Sequence, residues 1–159
     1  MWKRGTMIKY VPQDTSVVFA EINEEISLGI NISMCPHRCP GCHSTYLQTD
    51  IGDELTIDIL NDLIERHHGI TCVVFLGGDG DKETLKKFGA FVKSKDLKSA
   101  WYSGDLELDL NEYGKYFDYI KVGPYIESLG PLNVKTTNQR LYYINNGKAE
   151  DITYTFWRL

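Results

Sequence analysis

A chain of 159 residues with 42% hydrophobic and 25% charged content has material for one well-buried core and too little for two, so residues 1–159 read as one domain. A net charge of −5 and a pI near 5.3 exclude a surface built to neutralise phosphates, which turns expectation from nucleic acid to small molecules or proteins. No apolar run approaches the roughly 20 residues of a membrane span, and the polar GTMIKYVPQDTS after Lys3 and Arg4 lacks the apolar stretch of an export signal, so a cytoplasmic protein with no membrane attachment is expected.

Val17 to Ile22 and Ile26 to Ser33, around Asn23-Glu24-Glu25, predict a pair of N-terminal strands, the second alternating Ile26, Leu28, Ile30 and Ile32. Thr56 is a candidate cap for a helix carrying Ile57, Leu60, Leu63 and Ile64 and ending near His67-His68-Gly69. Ile70 to Leu76 reads as a buried strand broken by GGDGD, and Asp81 as the cap of a second helix with Leu85, Phe88 and Val92 on one face. Leu97 to Tyr102 and Tyr119 to Val122 predict two more strands with a weak helix near Leu108 to Tyr116 between them. Arg140 to Ile144 and Ile152 to Trp157, around Asn146-Gly147, predict a C-terminal β-hairpin.

Alternating strand and helix means an α/β fold with a parallel sheet. A full (β/α)8 barrel takes about 250 residues, so a chain of 159 can hold only a partial (βα) barrel. In such folds the site lies at the carboxyl ends of the strands, where MCPHRCPGC, GGDG, YSGD and VGPY would gather.

The densest chemistry is Cys35-x3-Cys39-x2-Cys42, three of the four cysteines in one short loop. A structural zinc site takes four protein ligands, usually as two separated pairs, and the second pair is missing. His43 adjoins Cys42, which makes it a poor fourth ligand; a turn-stabilising role and a cofactor contact are both open to it. Three thiols on a [4Fe-4S] cluster leave one iron without a protein ligand, the open position of a substrate-binding metal site. Pro36 and Pro40 stiffen the loop and Gly41 permits a tight bend. Cys72, inside Thr71-Cys72-Val73-Val74, reads as a core residue. His67 and His68 fit a helix end, and Asp105, Glu107 and Asp109 alternate as a solvated edge would, with a cation site the alternative. Tyr102 and Ser103 end a strand on the expected site face.

The cysteine spacing resembles the radical S-adenosylmethionine signature. CPGCHS, FLGGDG at 75–80, VGPYIE at 122–127 and TTNQRLYYI at 136–144 are similar to segments of the anaerobic ribonucleotide reductase activating proteins, over about Val17 to Ile144. The resemblance implies a partial radical SAM barrel in which Cys35, Cys39 and Cys42 ligate a [4Fe-4S] cluster and S-adenosyl-L-methionine chelates the remaining iron. It implies an oxidoreductase: one electron from the cluster cleaves the sulfonium, and the 5′-deoxyadenosyl radical removes a hydrogen from a glycine of the anaerobic ribonucleoside-triphosphate reductase large subunit. A flavodoxin-like or ferredoxin-like protein would supply the electron. Gly77, Gly78 and Asp79 would meet the methionyl amine, and Gly41, Cys42 and His43 would flank the adenine. Asp79 stands where the superfamily favours Glu, and Gly80 where the family often has Pro. A radical SAM enzyme for a small molecule and a zinc-binding adaptor are the competing readings.

Overall fold

A computed structural model describes residues 7–37, 39, 41–42 and 44–157; Lys3, Arg4, Pro40 and His43 lie outside the described residues. Lys9–Tyr10 (β1) pairs with Asp53–Glu54 (β4) in a small antiparallel sheet that sequence periodicity did not predict, both strands being too short to show alternation. The N-terminal pair is Ser16–Val18 (β2) and Ser27–Asn31 (β3), antiparallel with Val17 opposite Leu28. The expected first strand stops early, because the chain bends after Val18, leaving Phe19 66% exposed, and returns to bury Ile22.

Ile57–Arg66 forms α1, with Thr56 Oγ1 accepting from Ile59 N at 3.2 Å to satisfy one orphan amide of the first turn. Leu60 and Leu63 are buried, Ile64 packs at the margin of the core, and Ile57 is exposed. His67 Nδ1 lies 2.6 Å from the Leu63 carbonyl, the helix-end contact expected of it. Cys72–Leu76 (β5) leads through GGDG to Lys82–Ser94 (α2), capped by Asp81 through Thr84 N and burying Leu85, Phe88 and Val92. Lys98–Tyr102 (β6), Leu110–Tyr113 (α3), Tyr119–Val122 (β7), Arg140–Asn145 (β8) and Lys148–Asp151 (β9) complete the order.

Seven strands form one sheet in the order β2-β3-β5-β6-β7-β8-β9. β3, β5, β6 and β7 are parallel, since each connection carries a helix across, whereas β2, β8 and β9 attach antiparallel. The expected α/β class with a parallel centre is therefore present, as a mixed sheet with edges at β2 and β9.

The hairpin differs from expectation in its second strand. Asn146 (φ 51°) and Gly147 (φ 78°) make a two-residue turn that pairs Asn145 with Lys148 at once, so the return strand is the exposed, polar Lys148–Asp151. Ile152 to Trp157 is not a strand: Thr153–Trp157 winds into a 3-10 helix, with Asp151 Oδ1 accepting from Thr153 N at 3.0 Å. A polar edge strand carries no hydrophobic alternation to read.

Strand alternation divides the core into two faces. Leu28, Ile30, Val73, Phe75, Trp101 and Ile120 face α1 and α2. The opposite face carries Cys72, Val74, Ala100, Tyr119 and Leu141, packed by Ile22, Ile152 and Phe156. Cys72 is fully buried there and its thiol is pushed up to about 12 by burial, as a core cysteine should be. Among the described residues no helix is long and apolar enough to cross a membrane.

Candidate functional site

The carboxyl ends of the four parallel strands bring four loops together. The cysteine loop leaves β3, GGDG leaves β5, Ser103-Gly104-Asp105 leaves β6 and Gly123 leaves β7. Backbone bonds shape the first: Cys35 N donates to Leu47 O at 2.8 Å, Cys42 N to Cys39 O at 3.1 Å, and Ser44 N to Cys42 Sγ at 3.4 Å. Cys35, Cys39 and Cys42 are all half-buried thiols. Burial raises the Cys35 thiol, and the fields of Asp79, Cys39 and Cys42 raise it further, although a backbone hydrogen bond at His37 opposes them. Glu127, from VGPYIE, lies against Gly41, where a Cβ would meet its Oε2 at 2.5 Å.

Asp79 is the strut between the loops. Its side chain is 2% exposed. Ser103 Oγ donates to its Oδ1 at 2.6 Å, Gly104 N to its Oδ2 at 2.8 Å, and His37 Nε2 lies 3.0 Å from Oδ2. The same nitrogen is 3.1 Å from Asp105 Oδ1. Both neighbours are carboxylates, so Nε2 bears the ring proton and ties the cysteine loop to the loops after β5 and β6. Lys82 closes the chain at 2.9 Å from Asp105 Oδ2; burial pulls its ammonium down, but the Asp105 contact more than offsets this and holds it above the usual range.

Gly77 and Gly78 stand between β5 and Asp79, as expected. The Gly77 carbonyl accepts from Trp101 Nε1 at 2.9 Å and the Gly78 carbonyl from Asp81 N at 3.2 Å. Each keeps a second lone pair for a ligand. Asp79 is turned inward to His37, Ser103 and Gly104 rather than held out as an open carboxylate. His43 lies outside the described residues, so its two readings stay as they were.

Asp105 is not part of a solvated edge, because the cysteine loop supplies it with His37, and Asp109 caps α3 through Asn111 N at 3.0 Å. The ligand atoms of His37, Asp79 and Asp105 lie within 4.8 Å of one another. Ser103, the Gly104 amide and Lys82 already engage those carboxylates, which makes the trio a hydrogen-bonded joint. Tyr102 OH donates to the Glu21 carbonyl. His37, Lys82 and Lys121 were missed by sequence reasoning, and only Lys121 carried a signal: a lysine inside the apolar run Tyr119-Ile120-Lys121-Val122.

No family model, curated protein or solved structure matches the chain.

Proposed function

We propose that the protein is a radical S-adenosylmethionine activating enzyme that generates the glycyl radical of an anaerobic ribonucleoside-triphosphate reductase, its sheet forming a partial radical SAM barrel. The observation that carries this reading is the three half-buried thiols of Cys35, Cys39 and Cys42 on one loop at the carboxyl end of a parallel strand, with Cys72 buried elsewhere. Three thiol ligands would leave one iron of a [4Fe-4S] cluster for substrate. When bound, the reduced cluster supplies the electron that cleaves S-adenosyl-L-methionine, and the resulting radical takes a hydrogen from the partner's glycine.

The chain's own residues position these reactants. Cys35, Cys39 and Cys42 hold the cluster, and the His37–Asp79–Ser103 joint keeps their loop registered against the loops after β5 and β6. Gly77 and Gly78 offer the methionyl amine the spare lone pairs of their carbonyls, and Asp79 acts behind them as the brace. Gly41 gives the bend that brings the backbone beside Cys42 close to the nucleoside. The electron comes from a flavodoxin-like or ferredoxin-like protein.

The test is anaerobic reconstitution with iron, sulfide and reductant, followed by assays for S-adenosylmethionine cleavage and, with the reductase added, for a glycyl doublet by electron paramagnetic resonance. Cys35→Ala, Cys39→Ala and Cys42→Ala should each abolish cleavage, and Cys72→Ala should retain it. Zinc without iron or sulfide in protein purified without oxygen would replace this reading with a binding adaptor.

A further inference from the structure

A cavity of about 320 Å³ opens on the helix-free face of the sheet, the face turned away from α1 and α2. Tyr119, Tyr143, Tyr154 and Ile152 line it together with Glu24. Tyr119 opens β7 and pairs with Tyr143 of β8, so the cavity stands at the amino ends of the parallel strands, the end opposite the cysteine loop. Its volume lies at the small end of the roughly 300–1,000 Å³ typical of ligand pockets, which suits a small head group.

Aromatic rings and uncompensated negative charge meet there. The centres of the Tyr119 and Tyr143 rings lie 5.0 Å apart, with the rings inclined at 36°. Tyr119 OH donates to Glu25 Oε2 at 2.7 Å, and Thr71 Oγ1 donates to Glu25 Oε1 at 2.6 Å. A phenol polarised by a carboxylate has a more electron-rich ring, and the negative face of such a ring attracts cations. Glu24 is the one charged residue of the lining, and it is exposed. Among the described residues no Lys, Arg or His forms an ion pair with Glu24 or Glu25. Lys98 Nζ stands 5.7 Å from the centre of the Tyr143 ring, so this ring already engages an ammonium, although Lys98 does not line the cavity.

The neutral polar groups of the lining are engaged with one another. Asn23 Nδ2 donates to Thr155 Oγ1 at 3.1 Å, and Thr155 Oγ1 donates to the Ile152 carbonyl at 2.7 Å. A cation rich in N–H groups would leave donors unmet against such walls. An alkylated ammonium has no N–H to satisfy, and ring faces and a nearby carboxylate attract it without hydrogen bonds. We propose that this cavity binds a small quaternary ammonium ion, with Tyr119, Tyr143 and Tyr154 as the wall of rings and Glu24 as the counter-charge at its mouth. The inference stands apart from the activase reading, since no residue of the cysteine loop takes part in it.

The experiment titrates the isotope-labelled full chain with tetramethylammonium chloride, against sodium chloride at equal concentration, and follows the backbone amides by nuclear magnetic resonance. The organic cation should give saturable shifts at Asn23, Glu24, Tyr143 and Thr155 that sodium does not. Tyr143→Leu keeps an apolar side chain without the ring and should weaken binding about tenfold or more. Tyr143→Phe keeps the ring and should bind close to wild type. Glu24→Gln, a change at an exposed position, should weaken binding about threefold, and it carries the test if Tyr143→Leu does not fold. Absence of shifts, equal shifts with sodium, or wild-type affinity in Glu24→Gln overturns the proposal. So does a loss in Tyr143→Phe as large as in Tyr143→Leu. Tighter binding of guanidinium chloride at the same amides would assign the cavity to a hydrogen-bonding cation and overturn the quaternary ammonium.

Discussion

At the scale of single residues the site depends on what buried charges touch. Asp79 is tolerated because three donors converge on it, and Lys121 is tolerated at a cost. That cost has a pH signature in the metal-free chain. The Lys121 ammonium falls from an ordinary 10.5 to about 8 on folding. Below about pH 8 both states are charged and the native state bears the full penalty, about 3 kcal/mol at 1.36 kcal/mol per pH unit. Between 8 and 10.5 the unfolded chain binds a proton the native one has lost, so this contribution raises stability as pH rises. Cys72 acts in the opposite sense, its raised value removing stability as pH climbs above 9. The difference between wild type and Lys121→Met isolates the lysine. In urea unfolding the variant should be the more stable by about 3 kcal/mol at pH 7, with the gap closing towards pH 10.5; a gap independent of pH would contradict the assignment. Of these residues the cysteine triad was legible from spacing alone, and Lys121 was visible as an anomaly. His37 was not, because nothing in MCPHRC says that its ring will meet a carboxylate 42 positions away.

At the scale of elements, local chemistry was easy to read. Thr56 and Asp81 cap the helices predicted for them, and Asn146-Gly147 makes the predicted turn. What defeated reading was a strand without alternation, Lys148–Asp151, and strands of two residues. Two glycines in loops separate backbone strain from crowding. Gly147 has φ 78° with nothing within 4 Å of a built Cβ, whereas Gly52 has φ 89° and a built Cβ 2.1 Å from the Tyr10 carbonyl oxygen. Gly147→Ala should cost about 1 kcal/mol, the backbone term alone. Gly52→Ala should cost well beyond that, since β1 must move from its pairing with β4. Equal losses in thermal or urea unfolding would show that the backbone conformation, and not the Tyr10 contact, decides both.

At the scale of the whole molecule, Trp101 couples the core to the site. It is fully buried, its ring centre lies 5.2 Å from that of Tyr113 and 5.4 Å from that of Phe117, and its Nε1 holds the Gly77 carbonyl. Trp101→Ala should remove about 4 kcal/mol, a large share of a typical 5–15 kcal/mol total. Near-ultraviolet and far-ultraviolet circular dichroism should still report one coincident transition; two separate transitions would mean that the loop end melts apart from the sheet. By itself the sequence determined the α/β class, both long helices with their caps, the positions of the parallel strands along the chain and the spacing of the thiol loop, because each is written in contacts within about ten residues. Only the tertiary structure decided that the C-terminal hairpin joins the sheet antiparallel to β7, that Asp79 turns inward to His37, and that Lys121 is buried on the helix-free face. Those facts depend on strand order and register, which join residues that are distant in the chain and leave no local pattern to read.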